Sequence, residues 1–243
     1  MTTPIRRRFG LPAGTAALLG LLAGGGALAQ DDADRLERLT ALEARLASLE
    51  QEIRLLEDTK AIKRLQRAYG YYLDEGLTDE IAPLFAADAT VEIGQSGVYV
   101  GRDSIAAYYR HVLEDAAAPG HLNNHLIIQG IVNVAEDGAT AKGRWRALMQ
   151  LGEHGESAIW GDGPYENEYV KEDGVWKFSK VHWYGTVIAP YDPGWHKAPM
   201  PLPGPSEELP PDRPPTEVYQ SYPSAHLPPY HYDNPVSGRQ PPR

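Results

Sequence analysis

No cysteine occurs in the 243 residues, which removes disulfides, thiolate nucleophiles and thiolate metal ligands at once. Stability must come from packing, and from association where one chain's core falls short. Long apolar runs are missing too. The longest, Leu11 to Gly24, is about fourteen residues diluted by glycine, whereas a bilayer span needs roughly twenty, so stable membrane insertion is not expected. Positive charge is scarce: 23 Lys and Arg stand against 33 Asp and Glu, a formal charge of −10. Nucleic acid and anionic membrane surfaces are therefore poor partners.

What basic charge there is near the start is concentrated. Arg6, Arg7 and Arg8 precede the short apolar stretch, and Ala27-Leu28-Ala29 supplies a small-x-small cleavage pattern before Gln30. Residues 1–29 thus read as an export signal, which predicts a periplasmic or secreted protein. Arg6-Arg7-Arg8-Phe9 also fits a twin-arginine pattern, so the Sec and Tat routes both stay open. Removing the signal takes three arginines and no acids. The mature chain then has 20 basic against 33 acidic residues, a charge of −13.

Residues 30–58 carry a heptad pattern. Leu42, Leu46, Leu49, Ile53 and Leu56 follow a 4-3-4-3 spacing, with Leu36 and Leu39 leading in. A short coiled coil and a helix packed on its own domain both satisfy this pattern. The first would make the protein a homo-oligomer, dimer or trimer. Asp58 or Thr59 is expected to cap a new helix whose apolar positions Ile62, Leu65, Tyr69, Tyr72 and Leu73 recur until Asp74-Glu75-Gly76 stops it. A second helix is expected from a Thr78 cap through Phe85, then a hairpin of residues 90–93 and 98–100, and a third helix from Asp103 to about Glu114. From Asn123 to Ala189 the pattern is strand after strand, turning at Asp137-Gly138, His154-Gly155 and Asp173-Gly174. Helices followed by a long meander make residues 59–195 an α+β domain whose sheet curls over the helices and leaves a cone-shaped cavity. Past Trp195, 14 of the 21 prolines fall between Pro199 and Arg243. Residues 196–243 therefore read as an extended arm, and its Tyr219, Tyr222, Tyr230, Tyr232, His226 and His231 suit docking on its own or a neighbouring subunit.

The stretch Gly163-Pro-Tyr-Glu-Asn-Glu-Tyr-Val-Lys-Glu-Asp-Gly-Val-Trp-Lys-Phe-Ser-Lys180 resembles the final hairpin of the SnoaL-like branch of the NTF2-like superfamily. In character it is similar to the branch's hexachlorocyclohexane dehydrochlorinases and scytalone dehydratases. The resemblance spans about Thr59 to Pro190. It implies a cone of three helices packed inside a strongly curved, mixed or antiparallel sheet. It also implies a catalytic pair, in which an aspartate at the end of the first helix orients a histidine early in the sheet. The matching positions here are Asp74 and His125. A carboxylate on one ring nitrogen fixes the tautomer and stabilises imidazolium, leaving the other nitrogen to take a proton near neutral pH. The implied activity is a lyase that needs no cofactor, eliminating water or a related group from a hydrophobic, aromatic small molecule. Relatives also release formaldehyde from lignin-derived diarylpropanes.

Strand alternation nominates further substrate contacts: His182 on the face of Trp176 and Phe178, and Tyr165 and Asn167 on the preceding strand. Tyr69 and Tyr72 lie just before Asp74 and could wall the same pocket. For each of these, core packing serves equally well as an explanation. A metal site built on His121, His125 and His182 is disfavoured, because strand residues four apart are roughly 13 Å apart and no His-x-His pattern is present. An isomerase or an epoxide hydrolase of the same superfamily, and a non-catalytic binding or assembly module, are the competing readings. An isomerase would need a carboxylate base and an acidic oxyanion hole, and the inward positions of the last two strands offer no clear acid.

Overall fold

Helix formation dominates the N-terminal third because no proline falls between Ala16 and Gly76, and the helix carries Gly70 without a break. In a computed structural model, which describes residues 16–241, one α-helix, α1, runs unbroken over Ala16–Asp74. The basic start at Arg6 to Arg8 lies outside the described residues. Among the described residues, no helix is long and apolar enough to cross a membrane. The chain divides into two units at Arg54 and Leu55.

The described part of the first unit, from Ala16 to Arg54, is helix. Its seam leucines Leu42, Leu46 and Leu49 and Ile53 are exposed, and its surface charges include loose pairs such as Arg54 with Glu50 at 3.9 Å. Surface pairs of this kind contribute little.

The second unit begins inside α1, and here the helix start expected at Asp58 or Thr59 does not occur. The Asp58 carboxylate is used elsewhere. Its Oδ1 accepts from Trp176 Nε1 at 2.9 Å and pairs with Lys171 Nζ at 2.6 Å, so a residue that would cap locally is held by the sheet instead. Beyond it, Ile62, Gln66, Tyr69 and Leu73 recur at 4-3-4 spacing and are all buried.

A four-residue helix, α2 (Thr78–Ile81), and a 3₁₀ turn (Ala82–Leu84) follow. Thr78 lies inside α2 and does not cap it. Pro83 tightens the chain, and Phe85, expected in the helix, opens strand β1 (Phe85–Ile93). The hairpin partner β2 (Val98–Val100), helix α3 (Arg102–Val112) and strands β3 (His121–Val134), β4 (Thr140–Glu153), β5 (Ser157–Glu172), β6 (Val175–Trp183) and β7 (Val187–Pro190) complete it. Strand order is β2-β1-β6-β5-β4-β3, with β7 on β5. The β1–β6 pair is parallel and the rest antiparallel, so the α+β class and the mostly antiparallel curved sheet are as the sequence implied.

Register shifts bend this sheet on β1, between Phe85 and Thr90, and on β6 and β3. On β6 the pairing shifts between Glu168↔Lys180 and Tyr169↔Phe178, so Ser179 is the extra residue. On β3 the shift falls between Ile128 and Ile131, where Gln129 takes a φ of 54°. An extra residue raises the local twist and resets which face later side chains occupy. The β3 bulge also lets the Trp145 ring close over Gly130, where an added Cβ would lie 2.1 Å from the ring. Gly130→Ala is expected to lower stability by about 1–3 kcal/mol, the usual cost of overpacking, read from a chemical denaturation curve.

The arm after Trp195 docks on its own chain without forming a strand. Arg213 bridges Val98, Tyr99 Oη donates to Leu209 O at 2.9 Å, and Asp212 Oδ2 accepts from Val100 N and Ser104 Oγ. Thr216 donates from both N and Oγ1 to the buried Glu92 carboxylate, at 2.8 and 2.7 Å. His231 Nδ1 lies 2.7 Å from Glu166 Oε2. Backbone amides that proline-rich chain cannot pair with a strand neighbour are thus satisfied piecemeal.

Candidate active site

The C-terminus of α1 sets the position of Asp74. Gly76, at a φ of 62°, donates from N to Leu73 O, and Leu77 N donates to Tyr72 O at 2.9 Å. This left-handed glycine cap ends the helix and leaves Asp74 in its final turn. Asn123 Nδ2 then donates to Leu73 O at 2.6 Å, and His125 N donates to Asp74 Oδ1 at 2.6 Å. Two inward residues of one strand therefore grip one helix end. His125 Nδ1 lies 3.5 Å from the same Oδ1, a few tenths of an ångström beyond an ordinary hydrogen bond. That nitrogen is buried and has no other protein partner. Catalytic contacts are commonly this long before substrate binds.

His125 forms part of the wall of a cavity of about 370 Å³. Five tyrosines converge on it: Tyr69 from α1, Tyr99 from β2, Tyr108 and Tyr109 from α3, and Tyr165 from β5. Leu73, Ile93, Met149, Leu151 and Trp183 supply apolar surface, and His111 and Asn123 add polar groups. Asp74 stands behind the histidine and does not line the cavity. Tyr69 Oη and Tyr109 Oη are 2.8 Å apart. Burial pushes the phenols of Tyr69, Tyr108, Tyr109 and Tyr165 well above their usual range, so they are neutral O–H donors. The arrangement is a base with its orienting carboxylate on one wall and protonated phenols on the others. It can remove a proton from carbon and offer hydrogen bonds to an oxygen or halide in a largely apolar space.

The geometry agrees with the family signal, for the model of the SnoaL-like domain matches residues 54–182, more than half of the chain. The chain belongs to the SnoaL-like family. Its fold is shared with solved structures. A scytalone dehydratase-like protein of Novosphingobium aromaticivorans is 26% identical, with a TM-score of 0.51 over 58% of this chain and 91% of that one. A hexachlorocyclohexane dehydrochlorinase, type 2, is 25% identical, with a TM-score of 0.50 over 57% and 92%. A type 3 dehydrochlorinase of Novosphingobium barchaimii is 21% identical, with a TM-score of 0.50 over 57% and 93%, a likeness of fold alone. No curated protein sequence matches the chain.

Of the residues the sequence nominated, the SnoaL-like domain brings His125, Tyr69 and Tyr165 together in the wall of this cavity, with Asp74 behind His125. Tyr72 is half-buried, packs against the core and is not part of the cavity wall. Asn167 is buried beside α1, where its Nδ2 donates to Gln66 Oε1 at 2.9 Å and its Oδ1 accepts from His182 N. Tyr169 Oη donates to the same Gln66 oxygen, and accepts from Trp145 Nε1. Asn167 thus ties helix to sheet.

His182 is on the other face. The Ser179 bulge reverses the alternation, so Val181 and Trp183 follow Phe178 inward while His182 pairs with Glu92 outside, beneath the arm. There it stacks on Tyr184 at 3.9 Å, with Nδ1 3.6 Å from Glu92 Oε2. Burial, with smaller contributions from the charges of Lys180 and His226, pushes its imidazole down to about 3. The unfolded chain binds that proton near pH 6.5. Stability from the neutral ring is complete above about pH 6.5 and is lost as pH falls toward about 3. His182→Gln is expected to flatten this acid limb of the thermal-unfolding midpoint.

The cavity residues that sequence reading missed include Tyr99, Tyr108, Tyr109, His111, Asn123 and, from the arm, Pro203, Gly204 and Ser206. Asn123 was within reach, since it shares His125's face two residues earlier. The arm residues carry no such signal.

Proposed function

We propose that this SnoaL-like protein is a lyase that eliminates water or a related leaving group from a hydrophobic, aromatic small molecule, with no cofactor. One observation carries the reading: a histidine backed by a helix-end carboxylate opens onto a cavity walled by neutral phenols. His125 Nε2 takes a proton from carbon, the C–H electron pair becomes the new C=C bond, and the leaving group departs with its own pair. A phenol O–H stabilises or protonates it. Asp74 stabilises the imidazolium formed. The names of the two relatives at 25% identity or more, a dehydratase and a dehydrochlorinase, both describe eliminations and support this reading. The cavity is at the small end of ligand sites, which suits a substrate of one or two rings.

The test is incubation of purified protein with a panel of hydroxylated and halogenated aromatic and alicyclic compounds, followed by mass spectrometry. A product lighter by water or hydrogen halide supports elimination, and a product of unchanged mass would establish an isomerase instead. The export reading adds that the mature protein begins at Gln30 in the periplasm or outside the cell, which N-terminal sequencing checks.

A further inference from the structure

The exposed seam of α1 carries more information than its hydrophobicity. With Leu39, Leu46 and Ile53 at position a and Leu42, Leu49 and Leu56 at d, the heptad is fixed. The g positions are then Arg38, Arg45 and Glu52, and the e positions Glu43, Glu50 and Glu57. In a parallel pair, g of one helix meets e of the next heptad on the other. Arg38 then faces Glu43 and Arg45 faces Glu50, on both sides of the seam, against one repulsive Glu52–Glu57 contact. In an antiparallel pair e meets e, and every such contact is Glu against Glu.

The seam is also distinct from the stripe that serves the domain core. The next a and d positions after Leu56 are Lys60 and Lys63, where the hydrophobic seam stops. The buried stripe Ile62, Gln66, Tyr69 and Leu73 begins about a third of a turn away around the helix. Two faces of one helix thus have two clients. The seam residues Leu39, Leu42, Leu46, Ile53 and Leu56 are 53–71% exposed within the chain. Three heptads alone are marginal, because nucleating a short helix is costly. Here α1 is continuous into its buried turns, so the nucleus is already formed.

We propose that residues 39–56 form a parallel, in-register coiled coil with a second copy of this chain, its orientation selected by the Arg38–Glu43 and Arg45–Glu50 pairs. The two catalytic domains then leave the coil at the same end.

The experiment uses residues 30–243. Sedimentation or light scattering should give twice the monomer mass, which Leu46→Lys with Leu49→Lys reduces to that of the monomer. Arg45→Glu should raise the dissociation constant by about tenfold, and Glu50→Arg in the same chain should restore it. Because the chain has no cysteine, Leu42→Cys and Ile53→Cys, which face themselves in a parallel pair and each other in an antiparallel one, are clean probes. Each alone should form a disulfide-linked pair under mild oxidation. A monomer at all concentrations overturns the proposal. So does an assembly indifferent to the two lysines, or cross-linking seen only when the two cysteine variants are mixed, the antiparallel result.

Discussion

Replacing His125 with alanine should lower turnover of the eliminated substrate by about 10²–10⁴-fold, the span expected of a general base, while leaving the fold intact. The fold survives because the anchoring contact is made by the backbone: His125 N, not the ring, donates to Asp74 Oδ1 at 2.6 Å. Asp74→Asn keeps an acceptor for that amide and the shape of the helix end. It removes the charge that would stabilise imidazolium 3.5 Å away. Its turnover should therefore fall by a comparable factor, with only about 1 kcal/mol lost from stability as a charged acceptor becomes a neutral one. Circular dichroism and the unfolding midpoint of both variants separate lost chemistry from lost structure. If both variants kept full turnover with folded protein, the general base would have to be elsewhere.

Ending the chain after Trp195 should be the most damaging change to the structure. The cut removes the partners of Glu92, the Asp212 contacts with Val100 and Ser104, the Leu209 carbonyl bonded by Tyr99, and Tyr230, which lies over the Arg144 guanidinium at 3.9 Å. Glu92 is 2% exposed, and a buried carboxylate stripped of its donors is costly until water reaches it. Net losses of a few kcal/mol correspond to a fall in midpoint of roughly 10 °C for a domain of this size. The arm also supplies Pro203, Gly204 and Ser206 to the cavity, with Ser206 Oγ 3.5 Å from His111 Nε2. Opening that wall admits water and loosens the substrate, so turnover should fall by about 10²-fold even at temperatures where the truncated chain is folded. A truncated chain with unchanged midpoint and turnover would mean that the arm's contacts contribute nothing in solution.

Much of the fold was legible because the signals are local. The heptad leucines, the Asp74-Glu75-Gly76 stop, the hairpin around Gly94 to Gly97 and the turns at Gly138, Gly155 and Gly174 each need only their neighbours in sequence, and all appear where the pattern puts them. Local signals also misled. Asp58 and Thr59 have the chemistry of a helix cap, yet Lys171 and Trp176, more than a hundred residues away, hold Asp58 within an unbroken helix. Family likeness pointed to Asp74 and His125 as neighbours, which spacing alone could not, since they are separated by 51 residues and the structure brings them into contact.

By itself, then, the sequence determined the element order, the α+β class, the apolar stripe of α1 and the residue types available for proton transfer. These follow from periodicity, glycine and proline positions and composition, which act over a few residues. Only the tertiary structure decided which side chains meet. One inserted residue, Ser179, turned His182 away from the cavity and put Trp183 into it, and a proline-rich arm without secondary structure closed the wall that the helices and sheet leave open. Bulge placement and arm docking depend on how distant strands satisfy their hydrogen bonds together, and that balance has no counterpart in any short stretch of chain.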